Sequence, residues 1–309
     1  MSVVVLAYHE MGCMGLRVLI EEGVKVSAVF THEDDPGENH WFGSVADLAR
    51  RNGIPVFMPS NINRPGWAEM IHADAPDVIF SFYYRRLIKR TIWKIPRYGS
   101  VNLHGSLLPK YRGRCPVNWQ LINGETESGI TLHYIVSRAD AGDIIAQERV
   151  AVGADDTALV LYRKLLAAGE KALRLSLRGI LNGTAPRVRQ EDSQATVFGG
   201  RRPEHGRIDW RRSAREIHNL VRAVAPPWPG AFSETPAGKV MIWSSRPHVA
   251  NGSSPDVKPG EVQAADGRVF VGTGEGILEL LDYETADGRP LTAGKILGRE
   301  RAAISEKTP

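Results

Sequence analysis

Cysteine is nearly missing: the 309 residues carry two, Cys13 and Cys115. Two thiols so far apart build no disulfide framework and match no zinc-ligand spacing, so a reducing cytoplasm is the expected location. Long apolar runs are missing too. None approaches the roughly 20 residues of a membrane span, and no membrane insertion is expected. The opening MSVVVLAYHEMG has neither a basic n-region nor a small-residue cleavage site, so it does not read as a secretion signal. Charge of one sign is scarce. The net charge of +4 suits an anionic small substrate without arguing for a nucleic-acid groove. The hydrophobic fraction of 42% gives enough apolar material for one large or two modest globular domains.

In the first half, strand-like and helix-like segments alternate. Apolar runs at 2–7, 25–31, 54–60, 76–84 and 99–104 read as strands. Helices are expected at 15–22, at 43–53 with Ser44 as cap and Gly53 as stop, at 67–75, and briefly at 87–96. Continuous apolar strands separated by helices indicate an α/β fold, a doubly wound, mostly parallel, Rossmann-like sheet covered on both faces. Residues 129–136 and 143–152 read as two β segments joined by SRADAG. A long helix at 156–181 follows, capped by Asp155 or Asp156 and closed by Asn182-Gly183. The polar stretch 184–206 breaks the periodicity, placing a linker at 190–205 between a domain over 1–189 and another over 206–305. In the latter, a short helix, the turn PPWPG and several short strands with Gly-rich turns suggest a smaller C-terminal β-barrel, OB-like in character, or an open β domain.

Chemistry concentrates in VNLHGSLLPKYRGRCPVNW, residues 101–119. Residues two apart in a strand face the same side, so Asn102 and His104 point together from the end of the fifth strand, where open α/β sheets hold ligands. An imidazole there carries protons near neutral pH, and a carboxamide beside it donates to an oxygen gaining charge. The pair needs a carboxylate to orient the imidazole. Asp140 in SRADAGDI is the first candidate and Asp143 the second. Other motifs have plainer explanations. HEDDPGENH (32–40) suggests metal ligands, but Pro36 and Gly37 make it a solvated turn, and no metal is expected. GCMG (12–15) is half of a dinucleotide fingerprint. Residues 201–222 carry seven arginines and three acids, which fits a solvated helix face or a phosphate-binding one. Trp210, Trp228 and Trp243 read as core.

NLHGSLLPKYRG followed downstream by ADAG resembles the active-site signature of the 10-formyltetrahydrofolate-dependent formyltransferases. IDWRRSAREIHNLVRAVAPPWPGAFS resembles the C-terminal domain of their methionyl-tRNA and nucleotide-sugar branches. The resemblance implies a catalytic set of Asn102, His104 and Asp140. It also implies folate contacts at Arg86, Leu87 and Ile88, at Arg114, and at Val136, Ser137, Arg138, Ala139 and Asp140. The stretches AYHEMGCMGL, FTHEDDPGE, PDVIFSFYYRRLI, HGSLLPKYRGRCPVNW, NGETESGITLH and VRAVAPPWPGAFS are similar to the branch that formylates UDP-4-amino-4-deoxy-L-arabinose, a step of the lipid A modification behind polymyxin resistance. That implies 10-formyltetrahydrofolate as cosubstrate and a UDP-amino sugar as acceptor, with no nucleic-acid partner. The related bifunctional proteins carry alanine where this chain has Cys115, and they continue into a UDP-glucuronate decarboxylase. A free-standing transferase or an excised domain is therefore expected here, with a decarboxylase chain or domain as a partner. The rivals are a methionyl-tRNA formyltransferase, a formyltetrahydrofolate hydrolase, and a non-catalytic folate- or nucleotide-binding module.

Overall fold

A computed structural model describes residues 1–37, 39–235, 238–248, 257–265 and 267–285. The chain divides into two units. One comprises Met1–Pro116, Glu127–Ala151 and Tyr162–Gly199, the other Val117–Thr126, Val152–Leu161 and Gly200–Pro309. The first holds strands β1 (Ser2–Ala7), β2 (Lys25–Phe30), β3 (Val56–Phe57), β4 (Val78–Phe82), β5 (Ser100–His104), β6 (Arg112–Gly113), β7 (Glu127–Tyr134), β8 (Ile144–Ala151) and β9 (Val197–Phe198). Seven of them form one sheet in the order β3-β2-β1-β4-β5-β7-β8. Pairing is parallel from β3 to β5 and antiparallel at β5–β7 and β7–β8. This is the mostly parallel sheet expected from the apolar runs. Strand order reverses between β1 and β4, and the crevice beyond their carboxyl ends is where such sheets bind ligands.

Helices α1 (His9–Glu21), α2 (Val45–Arg51), α3 (Pro65–Asp74) and α4 (Arg90–Trp93) connect the strands. One sheet face packs Val4, Leu6, Phe30 and Ile79 against Ile62, Ile71 and Ile92. Ser44 caps α2 as expected, its hydroxyl accepting from the Asp47 N–H at 3.2 Å. Helix α1 begins earlier than the expected residue 15 because its glycines are packing residues. A Cβ on Gly15 would lie 2.4 Å from the Phe82 ring, and one on Gly12 would lie 2.9 Å from Val45. GCMG thus lets a helix approach the sheet closely. The turn at HEDDPGENH is held by Gly37 N–H donating to Asp35 Oδ1 and by Tyr8 Oη donating to Asp34 Oδ1, both at 2.9 Å.

Two further helices are α5 (Pro116–Ile122), which the sequence reading missed, and α6 (Ala158–Leu181). At the start of α6 the Thr157 hydroxyl accepts from the Val160 N–H at 3.4 Å, and Asp156 accepts from the Gly153 N–H at 2.7 Å. No helix among the described residues is long and apolar enough to cross a membrane.

In the second unit, α7 (Ala214–Val224) precedes β10 (Ala231–Thr235), β11 (Gly238–His248), β12 (Val262–Ala265), β13 (Arg268–Gly272) and β14 (Ile277–Thr285). These strands form the expected C-terminal β domain, an antiparallel sheet ordered β10-β11-β14-β13-β12. Ser213 and Glu216 close a reciprocal cap on α7. Ile217, Val221 and Val224 of that helix pack on Ile242, Val269, Val271, Leu278 and Leu280. Trp210 lies in this core at 1% exposure, and Trp228 is half-buried against it. Trp243 is also half-buried, its Nε1 donating to Glu284 Oε1 at 2.8 Å. Residues 286–305, assigned to this domain from sequence, lie outside the described residues.

Candidate active site

Antiparallel pairing of β5 with β7 sets Asn102 opposite His133 and His104 opposite Thr131. The side chains meet as the register requires: Asn102 Nδ2 lies 3.1 Å from His133 Nε2. His133 Nδ1 is 2.9 Å from the Tyr134 carbonyl oxygen, which only accepts, so Nδ1 carries the proton. In neutral His133 the Nε2 lone pair then accepts from the Asn102 carboxamide, which fixes the amide's orientation. His104 Nε2 is 2.7 Å from the Tyr111 carbonyl and must donate to it by the same reasoning. Its Nδ1 faces Asp140 Oδ1 at 3.6 Å. That distance is too long for a direct hydrogen bond, so Nδ1 is the ring nitrogen available to a reacting group.

Asp140 reaches both imidazoles, since Oδ1 is also 3.6 Å from His133 Nε2, and its Oδ2 accepts from Gly113 N–H at 2.8 Å. Burial raises its pKa, but the His104 charge, His133 in its protonated form and the Gly113 N–H outweigh burial and hold the carboxyl well below the usual carboxylate range. The carboxylate's contribution to stability is therefore fully present above its unfolded pKa of about 3.9 and is lost as pH falls toward the lower folded value. Asp140→Asn should be less stable than the parent near neutral pH, with the gap in urea midpoint closing in acid. Asp143 is placed differently, its backbone carbonyl accepting from Tyr134 N–H.

Asp140 has a positive φ of 53° and is held from behind. Gln190 Nε2 donates to the carbonyls of Asp140 at 2.8 Å and Gly142 at 2.7 Å. Its Oε1 accepts from Arg112 Nε and Nη2 at 3.0 and 2.7 Å, and Arg112 also reaches Asp192. The loop lies so close to β7 that a Cβ on Gly142 would sit 1.8 Å from the Tyr134 carbonyl oxygen. Gly142→Ala must push the loop off the strand. A loss of about 1–3 kcal/mol in unfolding free energy is expected from such overpacking, with reduced activity. Parent-like stability and rate would show that the loop tolerates the shift.

The loop after His104 is pinned by Thr131, whose hydroxyl donates to the Ser106 carbonyl and accepts from Leu108 N–H. Tyr83, Tyr111 and Cys115 adopt positive φ of 56°, 61° and 54°, as Asp140 does. Such conformations cost roughly 1–3 kcal/mol each in non-glycine residues and cluster at functional sites.

The sequence-predicted folate positions flank this centre on loops. Arg86 and Leu87 are exposed beyond the end of β4, while Ile88 turns against the core. Arg114 is exposed, its N–H donating to the Phe198 carbonyl. Val136, Ser137, Arg138 and Ala139 form the exposed run leading into Asp140, and Arg138 pairs with Asp192. Sequence reasoning missed His133, Arg112 and Gln190. It also missed the aromatic group where β1 and β4 end: Tyr8, His9, Trp41, Phe42 and Tyr162 pack edge to face or tilted, with Arg85 over the Tyr8 ring. Burial, then the Arg85 charge, lowers the His9 pKa to about 3, so that ring is neutral. Among the described residues no group of three or more His, Cys, Asp or Glu side chains is arranged to hold a metal ion.

A carboxamide and an imidazole backed by a half-buried carboxylate, at the carboxyl end of an interior strand of a Rossmann-like sheet, define the kind of site that handles an acyl group. Residues 9–177 match the formyl transferase family, and residues 201–301 match the formyl transferase C-terminal domain. The chain belongs to the formyl transferase family and is a formyltransferase.

Solved structures share the fold. An N-formyltransferase from Helicobacter canadensis, in complex with folinic acid and dTDP-3-aminofucose, is 23% identical at a TM-score of 0.72, over 90% of this chain and 98% of that one. WlaRD, a sugar 3N-formyltransferase solved with dTDP and 5-N-formyl-THF, is 22% identical at 0.70, over 91% and 97%. HypX from Aquifex aeolicus, solved in complex with tetrahydrofolic acid, is 20% identical at 0.62, over 96% of this chain and 47% of its own.

Proposed function

We propose that this enzyme transfers the formyl group of 10-formyltetrahydrofolate to the 4-amine of a UDP-amino sugar, UDP-4-amino-4-deoxy-L-arabinose. The observation that carries the proposal is the convergence of Asn102, His104 and Asp140, with His133 fixing the carboxamide. The donor suits the surrounding loops. Leu87 and Val136 are exposed large hydrophobic residues, 76% and 37% accessible, that offer apolar contact to a flat pteridine, beside main-chain groups at 87–88 and 136–139. For the acceptor, support comes from the sequence stretches shared with the sugar branch, from a relative solved with dTDP-3-aminofucose, and from a sugar 3N-formyltransferase solved with dTDP.

When bound, the donor supplies a formyl carbon made electrophilic by its attachment to nitrogen. Asn102 and the Nδ1–H of protonated His104 donate to the formyl oxygen as the amine, as free base, adds to the carbon and charge grows on that oxygen. The new C–N bond forms as the old bond to the folate nitrogen breaks. His104 relays the proton shed by the amine to the departing nitrogen, with Nε2–H anchored on Tyr111 throughout. Asp140 orients the ring and stabilises its charge.

We further take residues 1–189 as the segment that carries donor binding and catalysis. Incubating the purified chain with 10-formyltetrahydrofolate and UDP-4-amino-4-deoxy-L-arabinose should yield the N-formylated nucleotide sugar by mass spectrometry. Formate release with no formylated sugar would mean that water is the acceptor and the enzyme a hydrolase.

A further inference from the structure

The second unit carries a cleft of about 960 Å³, open to solvent and lined only by its own residues. Five arginines, 201, 207, 212, 215 and 222, face it together with three carboxylates, Glu125, Asp209 and Glu216, an excess of two positive charges. Two of the carboxylates are already engaged. Glu216 takes Arg212 at 3.0 Å and the Ser213 N–H at 2.9 Å, and Asp209 takes Arg211 through both oxygens. Arg215 is exposed on the first turn of α7 and has neither a hydrogen bond nor an ion pair among the described residues.

Arg222 is the more telling group. It is 6% exposed, yet its guanidinium has only neutral partners: Asn219 Oδ1 at 2.9 Å and the carbonyls of Gly153 and Asp156 at 3.3 and 3.1 Å. No carboxylate lies within 4.0 Å of it among the described residues. Burial comes first among the influences on its pKa and lowers it. The Asp156 and Asp155 charges act in the opposite sense, but neither carboxylate makes an ion pair with the guanidinium, and an anion arriving from the cavity would supply the direct partner that this cation lacks. The remaining walls include Trp119, Ile122, Ile217 and Leu220. Arg201 lies over the Trp119 ring, 4.7 Å from its centroid, a flat cationic surface suited to a nucleobase. Small-molecule sites occupy about 300–1,000 Å³, so a nucleotide fits.

We propose that this cavity is a second ligand site, which holds a nucleoside diphosphate with its phosphates on Arg215 and Arg222 and its base against Arg201 and Trp119. The site uses none of the residues assigned to formyl transfer.

Equilibrium dialysis of the full chain with UDP at low salt tests it. Arg215→Glu should remove one UDP per chain, by weakening that site at least about tenfold, while Arg215→Lys retains most of the affinity. Asn102→Ala should leave this site unchanged. Any UDP that binds at the acceptor site instead is insensitive to Arg215, so failure of the sugar assignment would remove a different class of binding. UDP stoichiometry and affinity unaltered by Arg215→Glu would overturn the inference. So would the absence of UDP binding alongside tight tRNA binding that Arg215→Glu abolishes, because the cavity would then be part of an RNA surface with a steep salt dependence.

Discussion

His104→Ala and Asp140→Ala should each slow formyl transfer by about two orders of magnitude or more, the scale of lost acid–base catalysis, while the protein stays folded. The two substitutions differ in what they leave behind. His104→Ala removes the proton carrier together with its hydrogen bond to the Tyr111 carbonyl. Asp140→Ala leaves the imidazole in place but removes the carboxylate that faces both His104 and His133 and accepts from Gly113. Because Asp140 acts through the ring, a double variant should be little slower than His104→Ala alone. Multiplicative losses, or a His104→Ala enzyme near the parental rate, would mean that the site is misassigned.

Much of this centre was legible in the sequence because it obeys short-range rules. Asn102 and His104 announce themselves by a spacing of two at the end of an apolar strand, and that strand is β5. Asp140 was favoured over Asp143 on a pattern, and its position beside the imidazoles rests on two contacts that no pattern displays. Gly142 lets the loop press on β7, and Gln190 ties it down from 50 residues away. Gln190 lay in a polar stretch read as linker, where a single buried amide has no periodicity to mark it. His133 was hidden for the opposite reason: inside GITLHYIV a lone histidine looks like a core residue. Only the register with Asn102 gives it a role. The early start of α1 was masked by Gly12 and Gly15, whose helix penalty is offset by close packing on Phe82 and Val45. Elements with strong apolar runs, β1, β2, β4 and β5, needed no such long-range information.

Acceptor choice carries the other large expected effect. Members of this family share the donor chemistry, so the triad cannot discriminate between a nucleotide sugar and an aminoacyl-tRNA; the surrounding surface must. A UDP-sugar presents one diphosphate and two small rings, which need only a few basic groups. A tRNA presents an extended row of phosphates, and each one neutralised adds to the steepness with which affinity falls as salt rises. The chain's excess of +4 is small for an RNA-binding surface. Turnover of the sugar should therefore change little over the salt range that weakens a tRNA complex by orders of magnitude, and methionyl-tRNA should remain unformylated.

The most direct measurement places both acceptors in one reaction with labelled 10-formyltetrahydrofolate, at low and at physiological salt, and follows where the label goes. Label should appear on the nitrogen of UDP-4-amino-4-deoxy-L-arabinose at both salt concentrations, not on methionyl-tRNA, and His104→Ala should abolish it. Label on methionyl-tRNA with none on the sugar would contradict the acceptor assignment and leave the fold and the Asn102–His104–Asp140 centre in place.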